Sequence, residues 1–293
     1  MIRDDLSQLD AIYFPVDGSV FITAPPGYGK TYVIGERMKY LISSGYIKPP
    51  QKLLALTFSN AAANEMKDRI DRVLRNSEVY IDIMNFHSFA YYLLRLYGNY
   101  IGVSRNFKIV SEREKNKFKK NFLDNYITSN PTSGLKIYDL ISQYNSWYIK
   151  KHLQSKEYTT KFQELFEHLR NSMNEELISS SNVDYDHLLF KSIELLQKNP
   201  CIRNYFFDKY KIILADEFQD TNRIQYELFK QIAVKSEDAR RSIFVVGDKR
   251  QAIMKFQGAN PENIDLLIDD FDCKELELTT NHRATSDRIK ALT

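Results

Sequence analysis

The sequence has 293 residues, of which 43% are hydrophobic and 27% are charged, and its formal net charge is +3. These values are typical of a soluble globular protein with one large or two ordinary domains. The small positive charge permits a nucleic-acid partner but does not by itself argue for one. No apolar stretch is long enough to span a membrane, so the sequence predicts no membrane-spanning segment.

The N-terminal stretch "MIRDDLSQLDAIYF" contains acidic residues and no long apolar run, so we do not expect it to be a signal peptide. Cys201 and Cys273 are far apart and match no metal-binding spacing. These features together predict a protein of a reduced, cytoplasmic compartment.

The first strongly patterned stretch is "VFITAPPGYGKTYVIGERM", which begins at Val20. Its apolar start predicts a buried strand, and the pattern after Lys30 predicts a helix. The loop between them has the spacing of a phosphate-binding loop, in which glycines let backbone N–H groups converge on phosphate oxygens. An ordinary strand-turn-helix connection is the alternative. The residues expected to bind the nucleotide here are Ala24, Pro25, Pro26, Gly27, Tyr28, Gly29, Lys30 and Thr31, with Ala24 in the place of the first glycine.

Residues 1–95 alternate short apolar strands with helices, which predicts βαβ units and a parallel sheet. "LLALTFS" is a predicted strand, and "HSFAYYLLRLYG" is a predicted helix. The helix predicted over "NAAANEMKDRIDRVL" has an apolar face formed by Ala62, Met66, Ile70 and Val73.

Residues 96–205 lose the strands and carry several helical patterns, which predicts an all-helical insertion subdomain. A basic cluster in the first of these helices is either a surface for duplex DNA or a solvated helix face. Its members are Arg113, Lys115, Lys117, Lys119 and Lys120.

Residues 206–293 return to alternating strands and helices, with predicted strands "KIILAD", "SIFVVGD" and "ELELTT". The predicted fold class is therefore α/β, a P-loop NTPase with a parallel sheet. Its lobe is discontinuous, formed by residues 1–95 and 206–293 and interrupted by the helical subdomain.

Polar side chains follow the strands of this last region and complete the predicted nucleotide site. Asp216 and Glu217 follow a buried strand, where a carboxylate can hold Mg²⁺ and a second one can activate water. Gln251 follows the next strand and would sense the γ-phosphate, and Arg283 would neutralise charge in the transition state. A solvated turn for the carboxylates and a surface position for Arg283 are the alternatives.

Six motifs in this order resemble the UvrD/Rep/PcrA family of superfamily 1 DNA helicases. They are "APPGYGKT", "LTFSNAAANEM", "NFHSFA", "LADEFQDTNRIQYEL", "VVGDKRQAIMKFQGA" and "LTTNHRAT". The resemblance covers nearly the whole chain and implies an N-terminal RecA-like ATPase lobe with a helical subdomain inserted. The second RecA-like lobe of the family is almost wholly missing, and the sequence stops inside a predicted helix, so we expect a piece of a longer protein.

The resemblance implies roles in ATP hydrolysis for residues named above and for two more. Gln8 stands at the spacing of the family's adenine-reading glutamine, with a surface position as the alternative, and His282 stands where a tyrosine usually stacks on adenine. The implied roles are the phosphate-loop lysine for Lys30, Mg²⁺ binding for Thr31 and Asp216, the catalytic base for Glu217, coupling to DNA for Gln251, and the arginine finger for Arg283.

The resemblance also implies contacts with single-stranded DNA. Phe58, Phe256 and, less well, Met254 would stack on bases, whereas core packing is the alternative for the two phenylalanines. Thr57, Asn60 and His87 would bind phosphates or sugars, although His87 could instead cap its own helix.

Several positions depart from the family pattern. Met254 replaces a tyrosine, Gln257 replaces an arginine, and Ala61 and Asn64 replace basic residues. These changes predict a divergent member with a weaker grip on DNA or a specialised partner.

Three functions remain open from the sequence. The first is an ATP- and Mg²⁺-dependent 3′→5′ translocase or helicase on single-stranded DNA and its junctions with duplex, present as its N-terminal half and weak or inactive without a second lobe. The second is a helicase-like subunit beside a nuclease in recombination or anti-phage defence. The third is a nucleotide-gated DNA-binding module that does not turn over, which the intact Lys30, Asp216, Glu217 and Gln251 oppose.

Overall fold

The structure is a computed structural model that describes residues 5–74, 76–130, 136–153, 159–236, 239–251 and 259–282. A six-stranded sheet organises the described chain. Every pairing in this sheet is parallel, which confirms the predicted α/β fold class. The strands are β1 (Val20–Thr23), β2 (Lys52–Thr57), β3 (Ile81–Asn85), β4 (Tyr210–Ala215), β7 (Ile243–Gly247) and β8 (Lys274–Glu277). Their order in the sheet is β3-β2-β4-β7-β1-β8. A separate antiparallel pair is formed by β5 (Val234–Ser236) and β6 (Ala239–Arg240).

Helices cover both faces of the sheet. The first four, in chain order, are α1 (Leu6–Ile12), α2 (Lys30–Ser43), α3 (Asn60–Val73) and α4 (Phe86–Tyr97). The others that pack on the sheet or on these helices are α8 (Tyr185–Lys198), α9 (Pro200–Lys209), α10 (Arg223–Ala233) and α11 (Glu262–Phe271).

Each central strand sends alternate side chains into two separate apolar cores, as the two-residue period of a strand requires. On β2, Leu53 and Ala55 pack on the face covered by α1, α2 and α3. Leu54 and Leu56 pack on the other face, with residues of α4, α8 and α10. Because both faces are buried, the carboxyl ends of the strands are the place where polar side chains can gather.

The predicted apolar face of α3 is wrong at one position. Met66 and Ile70 are buried, but Val73 is 46% exposed. Val73 is the last residue of α3. The backbone is extended at the next residue, Leu74, and the side chain of Leu74 packs against the core in place of Val73.

Three helices form a separate apolar core around Trp147. They are α5 (Glu112–Ser129), α6 (Ile137–Tyr148), which continues as a π-helical turn over Ile149–Leu153, and α7 (Gln163–Ser179). The helix α8 lies within 96–205, and α9 begins there and ends at Lys209. Leu188, Leu195 and Phe206 of these helices nevertheless share the core of the sheet. The division of the chain at residues 95 and 205 stays a prediction.

No helix in the described ranges is long and apolar enough to cross a membrane.

Candidate nucleotide and DNA site

The loop between β1 and α2 has the backbone of a phosphate-binding loop. Gly27 and Gly29 have φ values of 87° and 85°, a left-handed region that favours glycine. Gly29 is also the N-cap of α2 and makes no side-chain cap, so the first N–H groups of this 14-residue helix are left to other acceptors. The N–H groups and the positive end of the helix therefore favour an anion at this point.

Gln8 lies against this loop rather than on the surface. Its side chain is 2% exposed, and its Nε2 donates to the carbonyl oxygen of Tyr28 over 3.2 Å. A Cβ atom on Gly29 would lie 2.6 Å from that Nε2, so a larger residue there would displace the Gln8 amide. The surface alternative for Gln8 is therefore wrong, and its role as the adenine-reading glutamine stays a prediction.

His282 contacts the same loop from the other end of the described chain. Its backbone N–H donates to the carbonyl oxygen of Gly27 over 2.9 Å. Its Nε2 lies 3.3 Å from a carboxylate oxygen of Asp5, whose other oxygen caps α1 by accepting from the N–H of Gln8. Two of the predicted cofactor-binding residues, Gln8 and His282, are thus brought together by α1 and the phosphate loop.

Asp216 and Glu217 leave the carboxyl end of β4 with different environments. The Asp216 carboxylate is nearly buried and accepts from the backbone N–H of Glu217 over 2.9 Å. Burial, reinforced by the neighbouring charge of Glu217, raises the pKa of Asp216 to about 6. Glu217 has φ 50° and ψ 44°, a conformation that costs energy for a residue with a side chain. Strain of this kind is frequent at functional sites.

Glu217 is held by two donors. The Nζ of Lys30 lies 2.8 Å from its Oε2, and the Nε2 of Gln219 donates to the same oxygen over 2.7 Å. The Oε1 of Gln219 accepts from the backbone N–H of Asp248 over 3.0 Å. Gln219 was not among the predicted site residues, although its place two residues after the base in "DEFQD" was a local signal.

Gln251, which follows β7, extends this hydrogen-bond network to the phosphate loop. Its Nε2 donates to Asp248 over 2.8 Å and to the carbonyl oxygen of Ala24 over 3.3 Å. Ala24 in turn donates its N–H to the carbonyl oxygen of Gly247 over 3.2 Å. The loops after β1, β4 and β7, which are neighbours in the sheet, are therefore joined by direct hydrogen bonds.

A second group of predicted residues lies at the ends of β2 and β3. These strands pair so that Thr57 lies opposite Asn85. The Nδ2 of Asn85 donates to the Oδ1 of Asn60 over 2.8 Å, which joins the stretches "LTFSN" and "NFHSF". Phe58 is half-buried and Asn60 is exposed at this edge.

The hydroxyl of Thr57, a predicted DNA contact, is engaged within the fold. Its side chain is fully buried, and its Oγ1 donates to the carbonyl oxygen of Ser59 over 3.0 Å. The hydroxyl supports the turn into α3, whose N-cap is Ser59, because a short polar side chain can bond nearby backbone groups.

His87 is half-buried at the start of α4, and burial lowers its pKa. Its ring packs edge-on against Tyr185, with the ring centroids 5.5 Å apart. The N-cap of α4 is Asn85, which accepts from the N–H of Ser88 over 2.7 Å. The alternative in which His87 caps its own helix is therefore wrong.

The comparison with known proteins identifies the family. The model of the UvrD/REP helicase N-terminal domain matches residues 5–272. This chain belongs to the UvrD/REP helicase family.

Several curated members of the family are similar over most of this chain. The ATP-dependent DNA helicase srs2 of Schizosaccharomyces pombe is 35% identical, and the match covers 90% of this chain and 31% of that protein. The ATP-dependent DNA helicases PcrA of Staphylococcus aureus and Bacillus subtilis are 30% identical, with 94% of this chain and 37% of theirs covered. The chain thus spans about a third of the length of these relatives.

Some residues of the family motifs lie outside the described residues. They are Met254, Phe256, Gln257 and Arg283, and their predicted roles stay predictions. Of the other departures from the family pattern, Ala61 and Asn64 are exposed on α3.

The site has oxygen ligands that suit Mg²⁺. Within the described ranges, no three or more His, Cys, Asp or Glu side chains form a metal cluster. Mg²⁺ does not need such a cluster, because it is usually held by one or two protein oxygens together with phosphates and water. The buried Asp216 carboxylate, which has only a backbone N–H as a hydrogen-bond donor among the described residues, and the Thr31 hydroxyl fit such a site.

The basic residues of α5 do not all lie on one exposed face of the helix. Lys115 and Lys119 are buried, whereas Arg113, Lys117 and Lys120 are exposed. Both predicted interpretations, a duplex-binding surface and a solvated face, are wrong for the two buried lysines.

Lys115 instead pairs with carboxylates on either side of it. Its Nζ lies 3.2 Å from Glu112, 3.1 Å from Asp184 and 3.4 Å from Asp186. Burial opposes its charge, but these carboxylates raise the pKa of Lys115 above its usual value. The first turn of α5 is thereby fixed to the N-terminus of α8.

Proposed function

We propose that this chain binds ATP with Mg²⁺ in the loops after β1, β4 and β7, and hydrolyses the ATP to drive movement along single-stranded DNA. The observation that carries the proposal is the continuous contact from Lys30 to Glu217, through Gln219 and Asp248, to Gln251. The relatives named ATP-dependent DNA helicases support the same activity. The 3′→5′ direction of movement rests on the family resemblance.

The residues supply each requirement of phosphoryl transfer to water. The backbone N–H groups of the loop and the ammonium of Lys30 would bind the β- and γ-phosphates. A bound Mg²⁺, held by Thr31 and Asp216, would neutralise charge on the phosphate oxygens. Glu217 would accept a proton as the attacking water forms its bond to the γ-phosphorus and the bond to the β-phosphate oxygen breaks. Gln251, which is bonded to Ala24 of the loop, would respond to the γ-phosphate.

Single-stranded DNA would pass over the neighbouring edge at the ends of β2 and β3. Phe58 offers an aromatic face for stacking, which tolerates any base sequence as a motor requires. Asn60 is exposed and hydrogen-bonded to Asn85, so the residues that follow β2 and β3 are in direct contact at this edge. Because β4, which carries Asp216 and Glu217, pairs with β2, the DNA edge and the hydrolysis site share a rigid sheet.

A second candidate function is a nucleotide-gated DNA-binding module that does not turn over. It is favoured by the exposed Ala61 and Asn64, which offer no cationic side chains for phosphates at positions where the family usually has them. It is opposed by the strained Glu217, whose conformation has a cost that a merely binding site would not require.

ATP hydrolysis by the chain, measured with and without single-stranded DNA, tests the proposal. We expect DNA-stimulated turnover that the Glu217→Gln variant lacks, and Lys30→Ala should lose MgATP binding. Full-strength ATP binding by Lys30→Ala would contradict the phosphate-loop assignment. Binding without turnover in the wild type, alone and with DNA, would favour the second candidate.

The DNA edge has its own test. Phe58→Ala should weaken the binding of single-stranded DNA by about 1–3 kcal/mol if the ring stacks on a base. Tyr138→Ala is a matched control, because Tyr138 is a highly exposed aromatic residue on α6 and not on the segments that follow β2 and β3. Equal affinities of the wild type and Phe58→Ala would assign Phe58 to packing alone.

A further inference from the structure

The guanidinium of Arg37 is buried in the middle of α2 without an acidic partner. Its side chain is 2% exposed, and no carboxylate lies within ion-pair distance in the part of the chain that the structure describes. Burial lowers the pKa of Arg37 to about 10, which still leaves it charged at neutral pH. A buried cation of this kind is costly unless most of its donors find acceptors.

Backbone carbonyl groups accept from both terminal nitrogens of Arg37, whereas its buried Nε has no hydrogen-bond partner among the described residues. Its Nη1 donates to the carbonyl oxygen of Ile12 over 3.0 Å and also to that of Phe14. Its Nη2 donates to the carbonyl oxygen of Pro15 over 3.3 Å. These carbonyl groups belong to the last residue of α1 and the turn after it, where no intrahelical donor remains. The charge also complements the negative end of the helix dipole.

The helix that Arg37 holds is the one that carries Gln8. α1 has seven residues, and a helix this short is not stable alone in water. Gln8 precedes Ile12 by about one helical turn, so the guanidinium and the Gln8 amide act on adjacent turns of the same helix. The Gln8 amide is in turn bonded to Tyr28 in the phosphate loop. Helix α1 is therefore bonded at its C-terminal end to Arg37 of α2, and through Gln8 to the phosphate loop that precedes α2.

We propose that Arg37 is a positioning residue that sets the base selectivity of the nucleotide site by fixing α1, and with it Gln8, against the phosphate loop. This inference rests on the proposed function. The Nε2 of Gln8 is engaged with Tyr28, and its Oε1 has no hydrogen-bond donor among the described residues. A carbonyl oxygen held there can accept from the exocyclic N–H₂ of adenine, whereas guanine offers an acceptor at the corresponding position. The selectivity is for ATP over GTP, and it is lost when the Gln8 amide is free to move.

The test compares the ratio of the GTP and ATP dissociation constants in the wild type and in variants. Gln8→Ala should lower the ratio about tenfold, which is the contribution of one well-placed hydrogen bond. Arg37→Met should lower it by a similar factor. Arg37→Lys should recover part of it, because an ammonium can bond some of the carbonyl groups but lacks the fork of donors. The double variant Gln8→Ala, Arg37→Met should lose little more than either single variant, and KM for ATP should rise more than kcat falls.

Arg72→Met serves as the matched control, since Arg72 is exposed on α3. If Gln8→Ala lowers the ratio and neither Arg37 variant does, Arg37 stabilises the fold only and the inference is wrong. If Gln8→Ala leaves the ratio unchanged while ATP still binds, base reading by Gln8 is wrong and the inference falls with it. If the wild type does not bind ATP, the proposed function itself fails. Arg37→Lys keeps the test decisive if Arg37→Met does not fold.

Discussion

The ammonium of Lys30 lies 2.8 Å from the Oε2 of Glu217, so the lysine of the phosphate loop is paired with the proposed catalytic base. The two residues come from loops after different strands, and the lysine side chain is 10% exposed whereas the glutamate is 36% exposed. A γ-phosphate would compete with Glu217 for the same ammonium. On the proposed function, the pair would therefore link nucleotide binding to the release of Glu217.

Removing this competition should tighten nucleotide binding while stopping hydrolysis. Glu217→Gln should bind MgATP about two- to fivefold more tightly, because a partly exposed ion pair contributes roughly 0.5–1 kcal/mol. Equilibrium titration of ATP measures the change. Glu227→Gln, which alters an ion pair within α10, is the control and should bind ATP as the wild type does. Weaker ATP binding by Glu217→Gln would mean that the pair does not compete with the phosphate.

Gln219 should matter for hydrolysis more than for binding. Its amide donates to Glu217 and accepts from Asp248, so Gln219→Ala leaves the base free to take other orientations. We expect kcat to fall about tenfold, equivalent to roughly 1.4 kcal/mol, with little change in the ATP dissociation constant. Gly247→Ala should have a similar effect, because a Cβ there would lie 2.8 Å from the Oε1 of Gln219. An unchanged kcat in both variants would exclude a positioning role.

Lys115 should be a stabilising residue and not a DNA contact. Lys115→Met removes the ammonium from the buried carboxylate of Asp184 and the half-buried carboxylate of Asp186, and this costs about 3–5 kcal/mol of unfolding free energy. Urea denaturation measures the loss. Lys117→Met on the exposed face of the same helix should change stability by less than about 0.5 kcal/mol. Comparable losses in the two variants would argue against the buried ion-pair cluster.

The helical core around Trp147 should be sensitive to acid. Burial lowers the pKa of His152 to about 4, and the His152 ring packs 5.1 Å from the Trp147 ring. In the unfolded chain His152 takes up a proton near pH 6.5, so stability present above that pH is lost as the pH falls toward 4. Trp147 is the sole tryptophan of the chain, and its fluorescence follows the unfolding of this core directly. In His152→Phe the pH dependence between 6.5 and 4 should be reduced, and an unaltered profile would rule out His152 as its source.

The two thiols should differ in reactivity. Cys201 is exposed at the start of α9, whereas burial and the neighbouring Asp272 and Glu275 raise the pKa of Cys273 to about 12. Since the thiolate is the reactive form, a maleimide at pH 7.5 should label one thiol in the folded protein and two in denaturant. Cys201→Ser should abolish the rapid labelling, and rapid labelling of two thiols in the native protein would contradict the burial of Cys273.

The local parts of the site could be predicted from the sequence because short-range chemistry determines them. The spacing of Gly27 and Gly29 before Lys30 defines the phosphate loop, since glycine alone adopts the required backbone easily. The strand and helix patterns likewise depend on side chains a few residues apart, and they sufficed for the parallel α/β sheet.

The tertiary structure alone decided which distant residues meet and which charges are buried. The strand order brings the loops after β4, β7 and β1 together, and nothing in the spacing of "DEFQD" and "VVGDKRQ" specifies that Gln219 bridges Glu217 and Asp248. The basic pattern of α5 gave no sign that Lys115 is buried. Its partners are Asp184 and Asp186, which lie about seventy residues further along the chain. Arg37 gave no local signal, because its partners are backbone carbonyl groups and these have no residue type to recognise. Burial and long-range pairing arise from packing between elements, and a sequence read in local windows does not contain them.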